Sequence, residues 1–205
     1  MTNAVEEKKK SAVAMFDASM MEADAGSGIN DLGSDDLAYE RVYIQWTPRG
    51  DGSGAPSNVY KSKEDCPEIE RSKEDNKDYL TDGSGQYIEE THQHYVLVLK
   101  EDGSADQALI AMKSTQLKKS RKWNSMMLSA TVKGKNGMFT PPRFGFVYHL
   151  KSVGEENSKG SWHGWEMSRK EPVSSADVYG KAKAFSESIK KGGIVVKHEK
   201  EDVPF

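Results

Sequence analysis

Near the front of the chain, "YERVYIQWTP" places Val42, Ile44 and Trp46 in alternation with Arg41, Tyr43 and Gln45. That period-2 pattern predicts a half-buried strand, stopped by Pro48. "QYIEETHQHYVLVLKEDGSADQALIAMKS" predicts two strands around an Asp102-Gly103-Ser104 turn, and the apolar run from Tyr95 to Leu99 places this hairpin at the centre of a sheet. The period then changes, and "STQLKKSRKWNSMMLSA" predicts a helix from about Thr115 to Ser129 with a strongly basic first half. Two further strands follow, in "PRFGFVYHLKSV" after Pro141-Pro142 and in "GSWHGWEMS". A second helix is predicted where Ser174 and Asp177 give a capping-box-like start, Val178, Ala182, Phe185 and Ile189 form an apolar stripe, and Gly192-Gly193 close the element.

The element order is strand, strand, strand, helix, strand, strand. It predicts a mainly β chain with two helices (α+β), arranged as a five-stranded barrel of the OB type, with the second helix packed outside it. Residues 1–38 are too polar and Gly-rich to pack and are expected to be a flexible arm. Residues 39–191 form the barrel domain, and residues 192–205 form a tail with room for one short strand. Residues 49–85 read as a long charged loop, because they show little apolar periodicity.

With 205 residues and 36% apolar content, one domain of ordinary size is expected. The single Cys66 allows no internal disulfide and suits a reducing cytoplasm. No apolar run approaches membrane-spanning length, so no membrane partner is expected. The net charge of −3 hides a segregation. Between Lys113 and Lys170 twelve Lys or Arg stand against three Glu, a local balance of +9 that leaves −12 for the remainder. Such a field favours a polyanionic partner.

Catalytic signals are sparse. His92 and His94 project from one strand face with Glu90, but a further ligand at metal spacing is missing, and Cys66 has no CxxC mate. "GDGSG" at residues 50–54 lacks the Lys-Ser or Lys-Thr of a phosphate-cradling loop. Neither GxSxG nor HExxH occurs. The expectation is therefore a non-enzymatic protein with no catalytic residue, cofactor or metal. The rival readings are a metal-dependent nuclease or strand-transfer enzyme at Glu89, Glu90, His92 and His94, a recombination annealase, and a structural virion protein.

Basic groups that hold phosphates, with aromatics that stack on bases, are the ingredients of sequence-tolerant single-strand binding. The candidate phosphate contacts are Arg49, Lys113, Lys118, Lys119, Arg121, Lys122, Lys133, Lys135 and Arg143. The candidate stacking rings are Tyr43, Trp123, Phe144, Tyr148, Trp162 and Trp165. Tyr43 shares the polar face of its strand with Arg41, and Trp123 directly follows "KKSRK". Phe144, Phe146 and Tyr148 share one strand face and read as either core or platform, while Trp162 and Trp165 fall on opposite faces.

The chain ends in "EKEDVPF". Its proline fixes the backbone before the last residue, so ring and terminal carboxylate are presented together at little entropic cost. A chance match to an acid, an aliphatic residue, proline and phenylalanine at one end is roughly one in ten thousand or rarer. This end resembles the acidic tip of bacterial single-stranded DNA-binding proteins, and a compact body with a short tail looks most like those encoded by bacteriophages. The resemblance implies single-strand coating in replication, recombination and repair. It also implies capture of replication or recombination proteins by Glu201, Asp202, Val203, Pro204 and Phe205, and it is compatible with a homo-oligomer. The chain departs from the bacterial pattern in its short spacer, "GGIVVKH", and in Lys200, which interrupts the acids.

Overall fold

The computed structural model describes residues 39–48, 50, 54–158 and 160–192. The expected arm at 1–38 and the tail beyond Gly192 lie outside the described residues. The described residues are mainly β with two helices, and their antiparallel main sheet curls as half a barrel.

The strands are β1 Tyr39–Trp46, β2 Asn58–Tyr60, β3 Ile69–Arg71, β4 Asp78–Leu80, β5 Tyr87–Leu99 and β6 Ala105–Lys113 in the main sheet. Two hairpins follow, β7 Val132–Gly134 with β8 Gly137–Phe139, and β9 Phe146–Asn157 with β10 Gly160–Pro172. The helices are α1 Leu117–Leu128 and α2 Ala176–Lys190. The organising strand is β5. One of its edges pairs with β1, and the other pairs with β4 at Tyr87 and Ile88 and with β6 from Thr91 to Leu99. A turn with Gly103 at φ +81° joins β5 to β6, as the Asp-Gly-Ser signal predicts.

The centre of β5 corrects one expectation. Its five consecutive buried residues are Thr91 to Tyr95, whereas Val98 and Leu99 are exposed. The apolar run lies toward the hairpin tip, past the last pairing with β1, and the polar-looking "THQHY" takes the interior.

Register fixes what shares a face. Tyr39 sits opposite His94, Arg41 opposite His92 and Tyr43 opposite Glu90, while His92 and His94 face Met112 and Ile110 on β6. Helix α1 and the β9–β10 hairpin cover this face through a core of Met112, Trp123 and Met127, packed with Ile110, Tyr148, Leu150 and Met167. At Gly164 of β10, an added Cβ would lie 2.7 Å from Gln116 Nε2 and from Glu155 Oε2. The missing side chain is what lets the hairpin approach the start of α1.

Residues 49–85 do not form a simple loop. Three short strands carry single apolar residues, Tyr60, Ile69 and Leu80, onto a core with Tyr43, Ile88 and Cys66. Arg71 grips Asp78 with two nitrogens across the β3–β4 pair. Strands of three residues are too short for alternation to be visible.

Helix α2 begins at Ala176, with Ser175 rather than Ser174 capping the amide of Val178 at 3.3 Å. Its Val178 and Tyr179 pack with Val173, Phe139, Phe144 and Val147, and its Phe185 meets Tyr95 edge-on at 6.4 Å. No helix among the described residues is long and apolar enough to cross a membrane.

Trp123 is only 3% exposed and joins the helix to the sheet. Trp123→Ala is expected to cost about 3–5 kcal/mol in denaturant-unfolding free energy. A cost below about 1 kcal/mol would show that the indole does not hold this core together.

Candidate nucleic-acid interface

With 3.6 residues per turn, Lys118, Arg121 and Lys122 fall on one stripe of α1, and all three are exposed. Ser120, Trp123 and Met127 occupy the opposite, buried side. Lys119 turns toward β9 and pairs with Glu155, which also accepts a 2.9 Å bond from Trp162 Nε1. Gln116 Oε1 accepts the backbone N–H of Trp165 at 3.1 Å. Trp165, 36% exposed, is thereby tied through its backbone to the residue that precedes α1.

Beneath the stripe, Ser120 Oγ lies 2.8 Å from His92 Nδ1 and 2.7 Å from His94 Nε2. His92 Nε2 lies 3.1 Å from Glu90 Oε1. A carboxylate accepts, so His92 carries its proton on Nε2 and its bare Nδ1 accepts the Ser120 hydroxyl. The Ser120 oxygen in turn accepts from His94 Nε2–H. The set has one consistent direction, His94 to Ser120 to His92 to Glu90. Trp123 stacks on His94 with centroids 4.5 Å apart, and Tyr39 packs on both imidazoles at 5.2 and 5.1 Å.

Burial is the main cause that depresses both imidazoles. For His92 it is opposed by Glu90 and reinforced by Arg121 and Arg41. For His94, burial with the neighbouring His92 and Arg143 brings the value to about 3. Both rings are therefore neutral at pH 7.

Around Tyr39 the sheet, the helix and the segment before β9 bring three arginines together. The guanidinium carbon of Arg143 lies 5.6 Å from the Tyr39 ring centroid, and its Nη1 donates to Asn124 Oδ1 on α1 at 2.5 Å. Arg41 stands two residues along β1 from Tyr39, and Arg121 directly follows Ser120. Burial raises the Tyr39 hydroxyl above its ordinary range against the lowering pull of Arg41, Arg143 and Arg121, with Glu90 adding to the rise. Arg41 and Arg121 are exposed, and neither has an ion-pair partner among the described residues.

A model of the family described as Pam3 phage gp34-like protein matches residues 36–195. The chain belongs to that family. Comparison with curated proteins and with solved structures finds no match. The span matched to the phage gp34-like family holds β1 to β10, both helices and the whole arginine cluster, and it stops short of the terminal "EDVPF".

Several expected contacts are placed elsewhere. Tyr43 is 8% exposed, because it lies in a cluster with Leu80 and Ile88 against which Tyr60, Cys66 and Ile69 pack. Trp123 is buried by the hairpin and the sheet. Phe144 lies in a one-turn helix before β9, so it does not share a strand face with Phe146 and Tyr148, and it packs edge-on against Tyr179 at 5.2 Å. Tyr148 is half-buried against Trp123. Lys113 lies on the other face of the sheet, 3.0 Å from Glu89 and 5.7 Å above Trp46. Lys133 and Lys135 sit on the separate β7–β8 hairpin, both exposed. Arg49 and the tip residues Glu201 to Phe205 lie outside the described residues.

Sequence reasoning missed Tyr39 and Arg41 as site residues. Their alternation along β1 was visible, but only the pairing with His94 and His92 brings them to α1. As for the metal reading, no group of three or more His, Cys, Asp or Glu that could hold an ion occurs among the described residues.

The imidazoles give this site a pH signature. The unfolded state takes up protons near pH 6.5 while folded His94 does not, so their stabilisation is complete above that value and is lost as pH falls toward about 3. Urea unfolding should show about 2 kcal/mol less stability at pH 5 than at pH 7 from His94 alone, with a shallower dependence in His94→Gln. Equal slopes for the two proteins would refute the neutral-imidazole floor.

Proposed function

We propose that this protein binds single-stranded DNA without sequence preference during phage replication, recombination or repair, and that its acidic tip recruits partner proteins. The observation that carries the reading is the exposed basic stripe of Lys118, Arg121 and Lys122, which continues into Arg41 and Arg143 around Tyr39. Such a track holds a backbone by charge, and the exposed Trp165, tied through its backbone to the residue that precedes α1, supplies a stacking surface. A curled antiparallel sheet with a helix between its third major strand and the final hairpin supports the OB-like reading, in which the groove is the binding surface. The ending "EDVPF" supports the recruitment role.

The revised contact set keeps Lys118, Arg121, Lys122 and Arg143, adds Tyr39 and Arg41, and moves the main stacking role to Trp165. Lys119, paired with Glu155, anchors the hairpin to the helix.

Titration of tryptophan fluorescence with oligo-dT should show quenching that weakens with salt and is weaker still with duplex of equal length. Lys122→Ala should lower affinity alike for all sequences and reduce the salt slope by about 0.7. Trp165→Ala should cost about 1–3 kcal/mol of binding and most of the quenching. Salt-independent binding, or preference for the duplex, would overturn the proposal. Removing Val203 to Phe205 should leave DNA binding equal or tighter while abolishing partner capture. Loss of DNA binding on that truncation would contradict the recruiting role.

A further inference from the structure

We propose that the β7–β8 hairpin is a second nucleic-acid contact, a wedge that seats Met138 between bases and Lys133 on the adjoining phosphate, so that the protein opens duplex DNA where it meets a single strand. The inference rests on the single-strand reading above and adds an activity to it, at residues outside the α1 stripe.

The hairpin has two unlike faces. Its rungs pair Val132 with Phe139, Lys133 with Met138 and Gly134 with Gly137. Opposite residues share a face, and successive residues alternate. Phe139 packs on the core of Val173, Val178 and Tyr179, which turns that face inward. Lys133 and Met138 therefore project together from the outward face. Met138 is 65% exposed, against 36% for Trp165. A lone hairpin of this length is marginal in water, but this one is held at its root. Ala130 and Pro141 on either side of it are buried, and Arg143 just beyond bonds Asn124 of α1. The fold thus holds the methionine out in solvent.

Charge decides which occupant fits this face. No Asp or Glu occurs from Gln107 to Gly154. Lys133 is exposed and has no ion-pair partner among the described residues. An apolar protein partner would bury that ammonium unpaired, whereas DNA offers a base to the thioether and a phosphate to the lysine. Methionine suits the wedge itself. It is unbranched and polarizable, makes favourable contacts to aromatic rings, and is among the apolar side chains that enter base steps and unstack them. Cross-strand neighbours on such a ribbon lie about 5 Å apart, so Lys133 reaches a phosphate beside the opened step. The strand track is near. β7 begins four residues after the end of α1, which places its root within about 13 Å of Leu128. Lys122 lies about 9 Å further back along the helix axis. A strand held on the stripe of Lys118 and Lys122 comes to the hairpin within a few nucleotides.

The experiment uses the full chain and a forked substrate, a short duplex with a dT overhang that carries 2-aminopurine in the base pair next to the overhang. Its fluorescence reports unstacking, and anisotropy with labelled oligo-dT reports single-strand affinity in parallel. Met138→Ser should raise the protein concentration needed for half-opening on the order of tenfold. Its oligo-dT affinity should change by less than about twofold, as for an independent site. Met138→Leu should keep opening near the wild-type level, and Lys133→Gln should weaken it and flatten its salt dependence. Circular dichroism confirms that the variants are folded. Equal opening by the wild type and Met138→Ser overturns the wedge. A loss shared equally with oligo-dT binding also overturns it, because the residue then serves the coating surface alone. Failure to open the fork with oligo-dT binding intact overturns the wedge and leaves the single-strand reading standing. Failure to bind oligo-dT as well overturns both.

Discussion

At the middle of the molecule one hydroxyl is shared by two imidazoles. Ser120 donates to His92 and accepts from His94, and in doing so it ties α1 to the central strand at a single rotational setting. Trp123, three residues further on, stacks on His94 and closes the same contact from above. A helix pinned in this way cannot roll. Its basic stripe must therefore face outward, and Arg121, next to the pinned serine, comes within electrostatic range of the Tyr39 hydroxyl. The polar joint is buried, so its stability depends on every donor finding an acceptor, which the chain ending at Glu90 provides.

The same joint accounts for the electrostatics of the surface. Three arginines crowd one corner, and an imidazolium beneath them would add to their mutual repulsion. Burial and the arginines themselves keep both rings neutral, so the positive field above is not matched by charge below. Ion pairing sorts the remaining cations. Lys119 and Lys113 spend their charge on Glu155 and Glu89, where they hold a hairpin and an edge strand. Lys118, Arg121 and Lys122 have no such partners among the described residues and remain exposed to solvent.

Strong local patterns were legible in the sequence. The alternation of β1, the Asp-Gly turn between β5 and β6, the basic helix and the stripe of α2 all appear near their expected places, because each is decided by neighbours along the chain. What could not be read depends on distant pairing. "THQHY" looks like a polar surface strand, and only the cover supplied by Ser120 and Trp123 explains why it is buried. Tyr43 looks like an exposed ring until the scattered Tyr60, Ile69 and Leu80 are folded over it. Tyr39 is not singled out by the sequence pattern, and Arg41 only as a neighbour of Tyr43, because their importance comes from residues about 50 and 80 to 100 positions away along the chain. Charge segregation was visible as a count, but its division into paired and unpaired cations needed the fold.

The central claim is that the outward face of α1 and the arginine corner beside it form one surface for single strands. Hydrogen exchange measured by mass spectrometry, with and without saturating oligo-dT, tests it most directly. The account predicts slowed exchange at the start of β1, along residues 117–122 and around Arg143, with α2 unchanged. Protection confined to α2 or to the β3–β4 hairpin, with the first turns of α1 unaffected, would contradict it.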